Sequence, residues 1–286
     1  MCFSLATATA LLCTLQNPLT VDRTPNQSQI GPYLFQSVLF QVAHYLSPAG
    51  IYSDSAMASN QEDSNAIIVG IDFGTTYSGV AFTMSNKIDK IEVVTSWSAD
   101  HHSNVDMEKV PTAIAYREKN TFVWGYDLGV DDTQLKWFKL LLIDQEDLPD
   151  DVRTSKKIKE ARKFLKKHNK TSVEVISLYL RHLWNHASAR IVDALGRSLV
   201  NFSKFHIVIT LPAIWPEYAQ ARMREAATRA GILSTDRIGG ATELSFISEP
   251  EAAALATLYD MDGRCDIKVR GQNRAKIDYI GSVPPD

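Results

Sequence analysis

The stretch that decides the fold runs from Ile67 to Val80 and reads Ile-Ile-Val-Gly-Ile-Asp-Phe-Gly-Thr-Thr-Tyr-Ser-Gly-Val. Its pattern predicts an apolar strand that delivers Asp72 to a tight Gly-Thr-Thr turn, and a second strand of mixed character that leaves the turn. A carboxylate at a strand end can hold hydrated Mg²⁺, Gly74 lets the backbone approach an anion, and the two following threonines can bind phosphate oxygens. The run therefore predicts a phosphate loop, with an ordinary β-hairpin around a glycine turn as the alternative.

This run resembles the first phosphate loop of the superfamily that contains actin, hexokinase and the heat-shock chaperone ATPases. Its residue sequence, Gly-Ile-Asp-Phe-Gly-Thr-Thr-Tyr-Ser, is closest to that of the seventy-kilodalton heat-shock chaperones and looks most like that of their divergent relatives. The likeness covers about Ile67–Tyr259 through three further blocks in the family's order, Val110–Ile114, Ile209–Ala213 and Ser248–Ala253. It implies an α/β fold of the actin/hexokinase-like (ribonuclease H-like) type, with a mixed sheet flanked by helices.

Two rival phosphate motifs do not occur in the sequence. There is no Gly-x-x-x-x-Gly-Lys-Ser/Thr and no Gly-x-Gly-x-x-Gly. A P-loop kinase and a Rossmann dehydrogenase are therefore disfavoured.

The resemblance implies ATP and Mg²⁺ as cofactors, and it implies a role for each residue of the loop. Asp72 would hold Mg²⁺ through water, and the backbone at Gly74 would approach the phosphates. Thr75 and Thr76 would contact the β- and γ-phosphates, with Tyr77 beside them.

Two further residues would act on the γ-phosphate if the resemblance holds. Glu249 matches the acid that places the metal's water shell or the attacking water, the alternative being an acid that only interacts with a helix dipole. The family's lysine matches Lys139 best, with Lys136 as the fallback and a plain surface lysine as the alternative. The implied chemistry is in-line attack of water on a γ-phosphoryl group.

The sequence departs from the family in two places. The chaperones' relay proline matches Pro212, but the arginine expected eight residues later is Gln220 here, with Arg222 two residues away. A second phosphate loop, Asp-x-Gly-Gly-Gly-Thr, is expected after the helix that begins near Glu249 and is not found; the Gly239-Gly240 pair precedes Glu249. We therefore expect a truncated nucleotide-binding domain with an incomplete second lobe and impaired hydrolysis.

Composition sets the remaining bounds. The chain has 286 residues, 45% of them apolar and 22% charged, and a net charge of −3, which argues against a general nucleic-acid binder. No run reaches the roughly 18 apolar residues of a membrane span. Cys2, Cys13 and Cys265 all lie outside the part expected to fold, which fits a reducing compartment. We expect a cytoplasmic protein, with secretion through the signal-like run Leu5–Leu15 as a weaker alternative.

The chain divides into three parts by its patterns: a disordered extension at 1–65, the ATPase lobe at 66–260, and an unstructured tail at 261–286. Helices are predicted at Lys156–Lys167, Ser172–Val200 and Glu217–Ala230. The lysines of the first are interpreted as a solvated face, with a binding patch as the alternative. Strands are predicted at Ile67–Ile71, Tyr77–Thr83, Lys90–Val94, Thr112–Tyr116, Thr121–Trp124, Phe205–Leu211 and Leu244–Ser248.

The long helix carries an apolar stripe that should face the core, and two histidines four residues apart. The histidines, His182 and His186, are expected to be ordinary helix-surface residues, because no third ligand for a metal stands at suitable spacing. The stripe consists of Val173, Ile176, Leu180, Leu183, Ala187, Ile191 and Ala194.

The leading interpretation is an ATP-binding, heat-shock-70-like chaperone domain, with ATP or ADP as ligand and protein clients or co-chaperones as implied partners. Neither nucleic acid nor a membrane is expected as a partner. Three alternatives stay open: a small-molecule kinase of the same superfamily, a non-catalytic docking module, and a mispredicted fragment without a function of its own.

Overall fold

A computed structural model describes residues 66–87, 90–97, 107–117, 121–250 and 252. The extension and tail predicted at 1–65 and 261–286, the signal-like run and all three cysteines lie outside these residues. Within the described part of the chain, no helix combines the length and apolarity needed to cross a membrane.

In the described residues seven strands come first, four helices follow, and the chain then adds a strand, a fifth helix and a last strand. Three short 3-10 helices, Gly125–Asp127, Phe138–Leu142 and Gln145–Asp147, accompany them. The strands are β1 Ile67–Phe73, β2 Tyr77–Met84, β3 Glu92–Val93, β4 Val110–Pro111, β5 Ala113–Tyr116, β6 Phe122–Trp124, β7 Leu135–Lys136, β8 Phe205–Leu211 and β9 Glu243–Ser248. The helices are α1 Asp150–Thr154, α2 Lys156–Lys167, α3 Ser172–Leu195, α4 Arg197–Phe202 and α5 Glu217–Ala230.

The main sheet is mixed, as the sequence predicts. Its strand order is β3-β2-β1-β8-β9, with β4 pairing separately on β2. The β1–β2 pair is antiparallel, whereas β8 runs parallel to β1 and β9 runs parallel to β8. A second sheet, of order β6-β5-β7, is antiparallel. An α/β fold with a mixed sheet flanked by helices is therefore confirmed.

The core forms where continuous apolar strands meet the apolar sides of α3 and α5. Every residue of β8 is buried, and six of the seven in β1 are buried. Pro212 follows β8 directly and cannot donate to a ladder, so the strand ends where the sequence predicts. Helix α5 keeps its predicted bounds and ends at Gly231, whose φ of 81° is the left-handed C-cap conformation that glycine adopts without strain.

The long helix is shorter than predicted. A capping box between Thr171 and Glu174 starts α3, but the helix ends at Leu195 because Gly196 adopts a φ of 85°, and a separate helix, α4, follows. The predicted extension to Val200 is therefore wrong. The predicted stripe is buried as far as Ile191, whereas Ala194 is exposed.

The two histidines of α3 do not lie on an open surface, which corrects the prediction. The His182 ring stacks on Phe122 with centroids 4.7 Å apart, and Trp124 lies 5.8 Å away. The His186 ring lies 4.7 Å from Trp97, and its Nε2 is 3.0 Å from the Thr95 carbonyl. Aromatic residues from outside the helix cover both rings, and the helix sequence alone cannot show that.

The environment of His182 should make stability depend on pH. Burial lowers the pKa of His182, and the Arg181 charge lowers it further. In the window below the ordinary value of about 6.5, the unfolded chain therefore binds more protons than the folded one, and stability falls as pH falls. Urea unfolding at pH 7.5 and pH 5.5 should show a smaller pH-dependent loss in His182→Phe, which keeps a ring but cannot titrate. Equal losses in the two proteins would contradict the assignment.

Candidate functional site

The candidate site lies at one edge of the main sheet, where three parallel strands end. The carboxyl ends of β1, β8 and β9 meet there, and this edge is where open α/β sheets place ligands. Asp72 is the penultimate residue of β1, Thr210 is the penultimate residue of β8, and Glu249 directly follows β9. The topology thus gathers side chains that are far apart in the sequence.

Asp72 has two polar partners from other segments. Lys109 Nζ donates to its Oδ2 over 2.9 Å, and the Thr210 hydroxyl donates to its Oδ1 over 3.1 Å. The Asp72 side chain remains 23% exposed. The carboxylate is therefore held in place while water still reaches it.

Neither Lys109 nor Thr210 was predicted as a site residue. The pairing of Ile71 with Ile209 brings Thr210 beside Asp72, and this register joins residues 138 positions apart. Both residues stand in or next to motif blocks of the sequence, but a single sequence gives no sign of which carboxylate they contact.

The turn after β1 is tight enough to require glycine. A Cβ built on Gly74 would lie 2.2 Å from the carbonyl oxygen of Tyr77, which is far inside van der Waals contact. The turn is also tied to the residue that follows β4, because the Thr112 N–H donates to the Thr76 carbonyl over 2.8 Å. Thr75 is half-buried, whereas Thr76 and Tyr77 are exposed beside the sheet edge. The loop therefore presents its hydroxyls on a fixed backbone.

Lys139 is buried, so its interpretation as a plain surface lysine is wrong. It comes from the 3-10 helix Phe138–Leu142, and its side chain is 1% exposed. Its Nζ donates to Glu249 Oε1 over 2.7 Å, and Glu249 is 40% exposed. The same Nζ lies 5.8 Å from the centroid of the Phe73 ring and 5.6 Å from that of Trp215. The fallback, Lys136, is instead an exposed residue of β7.

A buried lysine is costly unless its charge is compensated. Here a carboxylate and two aromatic faces surround the ammonium group, and aromatic faces attract cations. Because Phe73 follows Asp72 directly, the lysine also lies close to the loop. The ion pair of Lys139 and Glu249 is therefore neutral as a whole, with a buried ammonium group and one water-accessible carboxylate.

Tyr179, the eighth residue of α3, packs against both the loop and the segment that carries Lys139. Its ring contacts Phe73 and Phe138 at centroid distances of 5.8 and 5.6 Å. Its hydroxyl donates to the Pro111 carbonyl over 3.2 Å, and burial raises the pKa of Tyr179 above its usual value, so it stays protonated. Helix α3 thus fixes the spacing between the residues that flank Asp72 and Lys139.

The departure at the relay arginine has a structural counterpart. The Gln220 side chain donates a hydrogen bond to the carbonyl of Trp215, just ahead of its own helix, over 3.4 Å. Arg222 donates to the Leu142 carbonyl over 2.7 Å and to Asp144 over 2.8 Å. Helix α5 is therefore tied to the end of the 3-10 helix that carries Lys139.

Comparison with known proteins finds relatives among the heat shock 70 kDa proteins. The chain is 29% identical over 226 residues to heat shock 70 kDa protein 12A of Homo sapiens, covering 73% of this chain and 31% of that protein. The Mus musculus protein of the same name is 30% identical over the same shares. Heat shock 70 kDa protein 12B of Homo sapiens is 29% identical over 237 residues, covering 76% of this chain and 33% of that protein. These relatives support a divergent heat-shock-70-like protein with the actin-like fold.

The heat-shock-70-like assignment rests on these relatives and on the fold. No protein-family model matches the chain. The chain spans about a third of the length of the relatives it matches. What those longer heat-shock-70-like proteins do as whole molecules is therefore not transferred to this chain by likeness alone.

Proposed function

We propose that this chain binds Mg²⁺·ATP at the carboxyl edge of its main sheet, chiefly through the phosphates. The observation that supports the proposal is the ion pair between buried Lys139 and half-exposed Glu249, placed beside a loop in which Gly74 cannot carry a side chain. Within this pair the Lys139 ammonium group is the part that can bind a phosphate oxygen, and the loop offers hydroxyl and N–H donors next to it.

The donor set fits a hydrated magnesium ion. No group of three or more His, Cys, Asp or Glu residues suited to hold a metal ion occurs within the described residues. Mg²⁺ commonly keeps several waters and uses only one or two carboxylates together with substrate phosphates. Asp72, with its partly exposed carboxylate, is the residue that would hold those waters. Bound Mg²⁺ would neutralise charge on the phosphate oxygens.

The residues of this chain have separate tasks in the proposed hydrolysis. Lys139 places a fixed positive charge where the γ-phosphate gains negative charge, and burial strengthens that interaction because water does not screen it. Glu249 keeps one exposed side from which it can accept a hydrogen bond from the attacking water. Thr75 and Thr76 hold the phosphates from the loop, and Tyr77 lies beside them.

We propose further that this chain by itself hydrolyses ATP slowly. The groups described above contact a ligand from one edge of one sheet, so water remains on the opposite side and weakens each charged contact. A chaperone cycle and protein clients or co-chaperones are proposals that rest on the family alone, and a cytoplasmic location is a proposal that rests on the positions of the cysteines.

Calorimetric titration of ATP into the 286-residue chain, with and without Mg²⁺, tests nucleotide binding. We expect binding in the micromolar range that depends on Mg²⁺, and loss of the Mg²⁺ dependence in Asp72→Ala, because that change removes the carboxylate and leaves Lys109 without it. Asp131→Ala, which removes an exposed acid elsewhere, is the matched control. Absence of heat in the wild-type protein, or equal Mg²⁺ dependence in both variants, would overturn the proposal.

A further inference from the structure

A groove of about 860 Å³ lies beside the phosphate loop, and the proposed nucleotide site does not account for it. One wall is the loop and the start of β5, and the other is helix α2. None of Lys139, Glu249 and Asp72 lines this groove. The groove is therefore a separate surface that shares only Thr75–Tyr77 with the candidate nucleotide site.

The charge of the groove is strongly one-sided. Four lysines line it, Lys136, Lys157, Lys163 and Lys167, against the single acid Glu160. Glu160 is itself 3.8 Å from Lys156, which lies outside the groove. No ion pair holds any of the four groove lysines within the described residues. A concave surface with this balance raises the local concentration of anions.

The floor of the groove is apolar, which narrows the class of ligand. Leu135, Ala161 and Phe164 form part of it and are at most 7% exposed. Lys157 Nζ lies 4.2 Å from the centroid of the Trp137 ring, and Trp137 has a φ of 63°, an uncommon conformation for a bulky residue that tends to occur at functional sites. An inorganic polyanion would gain nothing from such a floor, whereas a peptide with apolar and acidic side chains would use both parts.

The strand beside the groove also suits a peptide. Strand β7 is at the edge of the order β6-β5-β7, and both of its residues line the groove. An edge strand can accept an extended peptide as an additional strand. From Lys157 to Lys167 the helix rises by about 15 Å, which matches about five extended residues at about 3.3 Å each.

We infer that this groove is a docking site for a short, extended peptide segment of a partner protein in which acidic and apolar residues alternate. The alternation follows from strand geometry, because neighbouring side chains point to opposite sides. One set of side chains then meets the apolar floor, and the other meets the lysines of the rim. On this proposal the α2 lysines that line the groove form the binding patch that the sequence leaves open as the alternative to a solvated face.

Fluorescence polarisation with a labelled peptide, Glu-Leu-Glu-Phe-Glu-Leu-Glu, tests the inference in the absence of nucleotide. The full chain should bind it, and the double variant Lys157→Glu with Lys163→Glu should weaken binding at least ~30-fold through charge reversal. The matched control, Lys159→Glu with Lys166→Glu, makes the same charge change on the same helix outside this groove and should change binding less than ~3-fold. All four side chains are exposed, so folding should be kept and circular dichroism can verify it.

Three results would overturn the inference. An equal loss of peptide affinity in the two double variants would indicate diffuse attraction to a basic helix. Equal binding of Gln-Leu-Gln-Phe-Gln-Leu-Gln would exclude a role for the acids. If inorganic polyphosphate bound more tightly than the peptide and lost its binding in Lys157→Glu with Lys163→Glu, that result would assign the groove to a phosphate polymer. Asp72→Ala should leave peptide binding unchanged, which separates this test from that of nucleotide binding.

Discussion

Lys139→Met should leave the protein folded and as stable as the wild type, within about 1 kcal/mol, while removing the proposed hydrolysis of ATP. Methionine keeps the apolar length of the side chain against Phe73 and Trp215, and replacing a buried charge by an apolar group of similar volume is often neutral or stabilising. The partner, Glu249, is 40% exposed, so water can solvate it once the lysine is gone. Urea unfolding of the two proteins measures the difference in their free energies of unfolding.

Reversal of the charge at Lys139, in contrast, should destabilise the protein. Lys139→Glu places a second carboxylate beside Glu249 in a site that is 1% exposed, and we expect a loss of roughly 3–5 kcal/mol. Single-turnover release of phosphate from Mg²⁺·ATP should fall roughly 10²- to 10³-fold in Lys139→Met, the cost of losing one preorganised electrostatic contact. Lys136→Met, an exposed lysine of β7, should change neither measurement. If Lys136→Met abolished phosphate release and Lys139→Met did not, the role would pass to Lys136.

Gly74→Ala should disrupt the loop more than any other conservative change in it. The added Cβ would meet the Tyr77 carbonyl at 2.2 Å, and because that atom is backbone, the turn itself must shift. We expect a loss of roughly 2–4 kcal/mol in the free energy of unfolding, typical of overpacking against a fixed neighbour. Mg²⁺·ATP binding should fall with it, because the hydroxyls of the loop move with the backbone.

A second glycine provides the matched control for this change. A Cβ at Gly129 would have its nearest neighbour, an Asp132 oxygen, at 3.5 Å, which is ordinary contact. Gly129→Ala should therefore lie within about 1 kcal/mol of the wild type, with a gain expected from reduced entropy of the unfolded chain. Similar losses in the two variants would show that the close approach at Gly74 is relieved easily and does not fix the turn.

The sequence allowed the layered fold to be predicted because its strongest signals are local. Strand β8 and helix α5 have the predicted bounds, since a continuous apolar run, Pro212 and Gly231 mark their ends. The long helix was overextended because a glycine within a helical pattern is often tolerated, and only the φ of Gly196 shows that the chain turns there.

Only the site residues that stand in recognisable sequence motifs could be predicted from the sequence. Asp72 and Glu249 stand at strand ends that periodicity can locate, whereas Thr210 reaches Asp72 through a strand register that no local pattern encodes. The choice between Lys139 and Lys136 depends on burial, because both stand in the same short segment. The stacking of His182 could not be foreseen, because its partner Phe122 belongs to a separate sheet.

The direction of β1 has a practical consequence for how the protein is studied. The strand begins beside Lys204, where the Ile67 N–H donates to the Lys204 carbonyl, and Asp72 lies five residues further along it. At about 3.3 Å per residue, the start of the strand is about 17 Å from Asp72. A dye, an affinity handle or a surface linker joined ahead of Ala66 therefore starts at the opposite edge of the sheet. Immobilised or labelled protein made in this way should show the ligand affinities of the free chain.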